Sequence, residues 1–573
     1  MPAQPSNTES ALNTLVCAAQ KHLSSFIQTL PLRDAHIADM QRALLGAPGT
    51  VGKLAQLQDD YLHQWVALFR DGERAQVPQA EDRRFSSPQW DELEWFRLVR
   101  RLYELNSGFI SELAELPDLA ADTKRRLKFF SQQLVDAISP ANFPATNPEA
   151  IARAFATRGE SLTQGARAFT SDLTRGRISM SDESRFELGR NLAVTPGEIV
   201  YENDLIQLIQ YRAQTKQVRA RPLLVVPPFI NKYYILDLQS HNSFVRYCVE
   251  QGITTFIISW RNIPEPLGHL TWDDYIGSGI FDAIEAVQDI CDAESINAVG
   301  YCVGGTLLAS ALAVKSTRND HPVHALTLLA SMLDFSDTGE ISAYVDEHYV
   351  ASCERQYAKS GVVSGSQLTN AFASLRANEL VWHYVVNNYL LGKPPKAFDL
   401  LHWNADSANL PGPLYAYYLR NMYLENRLKT PGALRMHGSD IDLGQIGAST
   451  MVVAARDDHI VPWQTAYRSA RLLGGDIRFL LAASGHVAGI VSPAGNSRRR
   501  YWSAGEIGLP TAPEKWLSGA RESIGSWWPH WVHWLQSLSG ERVPAPVSTG
   551  NQRHRPVEAA PGRYVRERPD IHV

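Results

Sequence analysis

The stretch Ile296-Asn-Ala-Val-Gly300-Tyr-Cys302-Val-Gly304-Gly305-Thr306 decides how the rest of the chain reads. An apolar run enters Gly-x-Cys-x-Gly and passes into residues 307–314, which have the texture of a buried helix. A strand that turns sharply into a helix brings two backbones almost into contact. The positions two before and two after the turning residue must therefore be tiny, as Gly300 and Gly304 are. Cys302 then sits at a helix start, where free N–H groups and the positive dipole end favour a thiolate and a nearby oxyanion. Taken alone, the same stretch also reads as a glycine-rich turn around a small buried cysteine. The other cysteines, Cys17, Cys248, Cys291 and Cys353, have no such setting and read as ordinary.

A thiol nucleophile needs a base, and the base needs an orienting acid. Residues 480–489 read LLAASGHVAG, which puts His486 just beyond a predicted strand. Residues 451–462 read MVVAARDDHIVP, another strand ending in Asp457, Asp458 and His459. The order nucleophile, acid, histidine is that of a doubly wound hydrolase sheet, and each candidate lies at the C-terminal end of a strand, where open sheets carry their sites. Singly, each has an ordinary reading: an aspartate after a strand often caps a helix, and most of the 17 histidines must be structural or exposed. His459 adjoins the acid and takes a supporting role. A serine enzyme would turn a thioester into an oxoester, whereas a cysteine exchanges one thioester for another and keeps the acyl group activated. The chemistry leans to acyl transfer from a thioester, with hydrolysis as the competing outcome.

Further short apolar runs, at 223–226, 255–259, 296–299, 325–329, 451–455 and 477–481, alternate with helical or irregular segments. Runs apolar on both faces predict a parallel sheet covered on both sides. The fold class expected is α/β, with an α/β-hydrolase catalytic domain over 198–573. Aromatic residues crowd residues 334–428, expected to be an inserted cap that excludes water. An extended tail is expected from about 540. Residues 1–197 lack strand runs and predict a mostly α-helical N-terminal domain, its first ~70 residues loosely attached. In it Trp95, Leu98, Leu102, Leu105 and Phe109 mark one apolar helical face, and Leu127, Phe130, Leu134 and Ile138 another. Trp527, Trp531 and Trp534 fall on one face of a later helix, expected to pack on the sheet.

Composition excludes other classes. The chain has 573 residues, 44% apolar and 20% charged, an ordinary globular balance. A net charge of −5 gives no electrostatic reason to expect nucleic acid as a partner. Five scattered cysteines argue against a disulfide framework and for a reducing compartment. No apolar run reaches the ~18–20 residues of a spanning helix, and MPAQPSNTES does not open like a secretory signal. No metal-ligand spacing stands out.

The motifs also carry a resemblance. Residues 300–306 (GYCVGGT), 227–238 (PPFINKYYILDL), 258–262 (ISWRN), 333–337 (LDFSD), 398–404 (FDLLHWN), 458–463 (DHIVPW) and 484–486 (SGH) are similar to those of polyhydroxyalkanoate synthases, most closely class I. So are residues 143–149 (FPATNPE), 187–190 (ELGR), 525–529 (GSWWP) and 560–565 (APGRYV); the match spans roughly residues 80–565. The resemblance implies polymerisation of (R)-3-hydroxyacyl-CoA, chiefly 3-hydroxybutyryl-CoA, into a polyester with release of CoA. It makes Cys302 the acyl carrier, His486 the general base and Asp458, in preference to Asp457, the acid. The backbone N–H of Val303 would be one oxyanion donor, and Ile230, in the loop after 223–226, the second. Asn231, Asp237 and Trp403 fall in motifs lining or supporting the site. No cofactor is implied, CoA being part of the substrate and a product. A homodimer, a granule surface and granule-associated proteins are implied partners, and the cytoplasm the location, either soluble or on granules. The competing functions are an acyl-CoA thioesterase or hydrolase of the same fold and a non-catalytic granule-binding subunit.

Overall fold

The apolar runs pair side by side in the computed structural model, which describes residues 48–70, 82–116, 119, 121–504 and 509–568. The strands are β1 (Gly197–Glu202), β2 (Ile206–Tyr211), β3 (Leu223–Val226), β4 (Thr255–Trp260), β5 (Ile296–Tyr301), β6 (Val323–Leu329), β7 (Ser449–Ala455), β8 (Ile477–Ala482), β9 (Arg500–Ser503), β10 (Arg521–Ile524) and β11 (Glu558–Ala559). Among the described residues they form one sheet in the order β10-β9-β8-β7-β6-β5-β3-β4-β2-β1-β11. From β8 to β4 every neighbouring pair is parallel. Antiparallel strands extend both edges. No apolar run announces β9 or β10, which read RYWS and RESI, because neither strand buries a side chain fully.

Alternation along β3 shows how both faces are covered. Leu224 and Val226 join the core that includes helix residues Ile284 and Leu308. Leu223 and Val225 join the core that includes Phe244, Trp531 and Leu535. The first face carries α1 (Asp282–Cys291) and α2 (Val303–Thr317); the second carries α3 (Trp528–Leu538). Helix α2 is apolar all round, and Val303 to Val314 are all buried. Trp527, Trp531 and Trp534 are buried as well, so this face packs on the sheet and presents nothing to a polymer. Because β4 and β5 flank β3 on opposite sides, the chain reverses direction across the sheet there, and open sheets carry their sites beyond the C-terminal strand ends at such a point.

Residues between β6 and β7, where the cap is expected, include the helices Glu347–Gln356, Gly365–Ser374, Asp399–Asn404 and Gly412–Tyr418. Its aromatic residues pack inward: Tyr418 stacks on Trp272 with ring centroids 5.4 Å apart and meets Phe335 edge-on. The tail is more than extended chain. Residues Arg542–Pro544 pair with Gln217–Arg219, and β11 adds an edge to the main sheet.

The chain divides into two units, Met1–Ser161 and Leu162–Val573. The division comes earlier than the onset of strands at 197. Residues 162–196 belong with the second unit because their polar groups are satisfied there: Tyr389 donates to Asp172 at 2.7 Å, and Asn388 donates to the Ser179 carbonyl at 2.7 Å. The first unit is helical where it is described, and the expectation for the first ~70 residues lies, up to residue 47, outside the described residues. The expected helical faces hold only in part: Leu105 and Phe130 are buried. Trp95 is 61% exposed, and Leu134 and Ile138 are exposed too. The core is built instead from Phe85, Trp90, Tyr103, Val135 and Ala141. A short helix, Gln89–Glu92, ends at extended Leu93 before Glu94–Glu115 begins. The inward positions therefore go to Trp90 and Phe96, whose rings meet at 6.1 Å.

Candidate active site

Strand β5 ends at Tyr301 and α2 begins at Val303, so Cys302 alone turns the chain. Its backbone is strained, with φ 52° and ψ −128°. The turn is held by the Cys302 N–H donating to the Leu329 carbonyl at 2.9 Å and the Gly305 N–H donating to the Cys302 carbonyl at 2.9 Å. A Cβ on Gly304 would lie 2.5 Å from the Pro227 carbonyl oxygen and 2.6 Å from that of Val226. One on Gly300 would strike the Gly305 backbone, and one on Gly305 the Ser331 hydroxyl. All three glycines are demanded by close approach, Gly305 included, which spacing alone does not single out.

The start of α2 thus abuts the end of β3, and residues 227–238 leave from that point. The Trp260 indole donates to the Pro227 carbonyl at 2.9 Å. Val303 is the first helical residue, so its N–H has no acceptor within the helix. The Ile230 carbonyl accepts from the Ala408 N–H at 3.0 Å, and Asn231 bridges Ser407. The Trp403 indole donates to the Lys232 carbonyl at 2.7 Å. Cap residues 403–408 therefore grip the loop expected to supply the second oxyanion donor.

Asp458 follows β7 and His486 follows β8, and the parallel pairing of those strands brings the two together. His486 Nδ1 lies 2.7 Å from Asp458 Oδ2. The other carboxylate oxygen accepts from the N–H groups of Ile460 and Val461, each at 2.9 Å. Asp457 is exposed, its N–H donating to the Ser484 carbonyl at 3.0 Å. With Nδ1 turned to Asp458, the remaining ring nitrogen is left for Cys302, which lies close enough to act on the ring's charge. Burial alone would lower the imidazole's pKa. The Asp458 carboxylate and Cys302 sulfur together outweigh it and hold His486 well above its ordinary value. The arrangement stabilises an imidazolium beside a sulfur, the state in which a cysteine is nucleophilic.

For His459, burial, with Arg376 nearby, pushes the pKa down to about 4, leaving it neutral at neutral pH. Asp237 is buried among Thr195, Ser243 and Tyr211, whose hydroxyls donate to it at 2.5, 2.6 and 3.4 Å. It braces the far end of the 227–238 loop, with burial pushing its carboxyl up to about 6 against those hydrogen bonds. Sequence reasoning passes over two kinds of neighbour. Tyr301 stacks on His486, ring centroids 5.6 Å apart, although it lies within the decisive stretch. Tyr418 and Tyr423, from the cap, lie close enough to Cys302 to feel its charge.

Comparison with known proteins adds identity to this geometry. The model described as poly-beta-hydroxybutyrate polymerase (PhaC) N-terminus matches residues 81–248, and the alpha/beta hydrolase fold model matches residues 222–493. The poly(3-hydroxyalkanoate) polymerase subunit PhaC of Cupriavidus necator is 46% identical over 532 residues, covering 91% of this chain and 90% of that protein. The chain belongs to the poly(3-hydroxyalkanoate) polymerase family. Within the family, poly(3-hydroxyalkanoate) polymerase 1 of Ectopseudomonas oleovorans is 38% identical, covering 87% of this chain and 88% of its own length. Among solved structures, a monoacylglycerol lipase from Paleococcus ferrophilus is 16% identical over 48% of this chain and 90% of its own, with a TM-score of 0.31. That score carries no argument. Family membership rests on the sequence relatives, and the α/β-hydrolase fold on the sheet and the family model. Among the described residues, no helix is long and apolar enough to cross a membrane.

Proposed function

We propose that this protein polymerises (R)-3-hydroxyacyl-CoA, chiefly 3-hydroxybutyryl-CoA, into polyester through an acyl group carried on Cys302. The observation that carries the reading is the strained Cys302 at the elbow, close enough to act on the charge of the His486 imidazole, which Asp458 holds from 2.7 Å.

The thiol proton passes to the His486 ring nitrogen that faces Cys302, and the thiolate attacks the thioester carbonyl carbon. The oxygen becomes an oxyanion, for which the Val303 and Ile230 N–H groups are the donors supplied by α2 and the 227–238 loop. Collapse breaks the bond to CoA, whose sulfur takes the proton from the imidazolium, leaving acyl-Cys302. A 3-hydroxyl then loses its proton to His486 and attacks an acyl thioester. The ester bond forms, the carbon–sulfur bond breaks, and the proton returns to the sulfur. Asp458 orients the ring and stabilises its charge in both halves. The thioester provides the driving force, so no cofactor is required. The aromatic cap excludes water, which would otherwise end the chain as free acid. Polyester is apolar and separates from water. The same reading therefore includes work in the cytoplasm at a granule surface, as a homodimer and alongside granule-associated proteins.

The test is incubation with (R)-3-hydroxybutyryl-CoA, following free CoA and the acyl product. Insoluble polyester with stoichiometric CoA supports the reading, and Cys302→Ala abolishes both. CoA release yielding only 3-hydroxybutyrate would mean a hydrolase, and unchanged CoA release by Cys302→Ala would remove the covalent step.

A further inference from the structure

Lys232 is 2% exposed, an unusual place for an ammonium group. It lies two residues beyond Ile230, in the loop that passes the nucleophile elbow. Its Nζ donates to the backbone carbonyl of Glu567 at 2.7 Å, and its own carbonyl accepts the Trp403 indole N–H at 2.7 Å. One residue therefore ties three separate segments: the loop after β3, the cap and the C-terminal tail. The tail is itself anchored: Tyr564 and Val565 are buried, the Tyr564 hydroxyl donates to the Asn203 carbonyl at 2.8 Å, and Arg261 pairs with Glu567 at 3.4 Å. Nearby, Tyr234 donates to Asp406 at 2.9 Å, fastening the same loop to the cap a second time.

A buried ammonium is costly unless it is paired and hydrogen-bonded. Burial lowers the Lys232 pKa, while the Asp406 and Glu567 carboxylates counter it. A methionine would fill the same space without that cost. What lysine adds is a directed bond to a carbonyl 335 residues away in the chain. A loop that must hold an N–H at the position of a developing charge needs such fixing, because an oxyanion donor misplaced by an ångström loses most of its effect.

We propose that Lys232 is a positioning residue for acyl transfer, fixing the Ile230 oxyanion donor by tying its loop to the C-terminal tail. The tail is then part of the active-site support. This rests on the Cys302 reading above, and the experiment separates the two. Oxyanion stabilisation acts in the transition state, so its loss lowers kcat and leaves KM. Alkylation of Cys302 by iodoacetamide needs the thiolate but no oxyanion hole.

The experiment compares full-length wild type with Lys232→Met, measuring CoA release from (R)-3-hydroxybutyryl-CoA and the rate of iodoacetamide alkylation. The expected result is a kcat lower by about 10- to 100-fold, KM within about twofold, and alkylation within about twofold. Trp403→Phe, which keeps the ring and loses the other tether, is expected to show the same pattern and carries the test if Lys232→Met does not fold. A retained kcat, a rise in KM alone, or alkylation falling in step with kcat overturns the proposal. Loss of CoA release in Cys302→Ala with full activity in Lys232→Met overturns only the positioning role. Full CoA release by Cys302→Ala overturns the reading beneath it.

Discussion

His486 Nδ1 and Asp458 Oδ2 stand 2.7 Å apart although 28 residues separate them in the chain. The contact requires Nδ1 to carry a proton, which commits the opposite nitrogen to Cys302. Replacing the carboxylate by an amide keeps the shape but lets the ring bind in the wrong tautomer and removes the charge that raises its pKa. Asp458→Asn is expected to lower kcat for CoA release by about 10²- to 10⁴-fold. Iodoacetamide alkylation of Cys302 at pH 6–7 slows with it, since the ring becomes a weaker base. Unchanged alkylation between those pH values would show that Asp458 does not act on Cys302 through His486.

The Asp237 carboxyl gives a pH signature of opposite sense to a salt-bridged acid. Burial raises it to about 6 from an ordinary 3.8. Between those values the folded state holds a proton that the unfolded state has released, so folding stability falls as pH rises from about 4 to about 6 and levels off above. The loss is about 3 kcal/mol, from two units at ~1.4 kcal/mol each. Other acids titrate in the same range, so the measurement is the difference from Asp237→Asn. Urea midpoints at pH 4.5, 5.5, 6.5 and 7.5 should show wild type losing ground to the variant across the first three points. Parallel curves would mean that Asp237 is already ionised at pH 4.5.

Gly304 tests the elbow. An added methyl meets two backbone carbonyls, at 2.5 and 2.6 Å, and neither can swing aside as a side chain would. Gly304→Ala is expected to destabilise by about 1–3 kcal/mol. It should also lower kcat more than its melting temperature suggests, because pushing α2 from β3 separates Val303 from Ile230. Thermal unfolding alongside CoA release checks this, and a fully active, fully stable variant would contradict the contact.

Local pattern made much of this protein legible. An apolar run ending in Gly-x-Cys-x-Gly fits a sharp strand-to-helix turn, and with an acid and a histidine after later strands Cys302, Gly300 and Gly304 could be read from their spacing. The alternation of apolar runs with helices likewise predicts the parallel strands β3 to β8. Where apolar pattern is faint, the reading fails. Strands β9 and β10 carry too little of it, and Trp95 and Leu134 repeat at helical spacing yet face solvent.

The order of strand, elbow, acid and histidine is thus a property of the sequence itself, since each is set by neighbours within a few residues. Only the tertiary structure decided how closely His486 meets Asp458, that Tyr301 stacks on the imidazole, and that Lys232 holds the tail. Those contacts depend on strand register, cap placement and close packing of segments up to 335 residues apart. No local periodicity encodes such distances, because they are fixed only when the whole sheet and its cap have assembled.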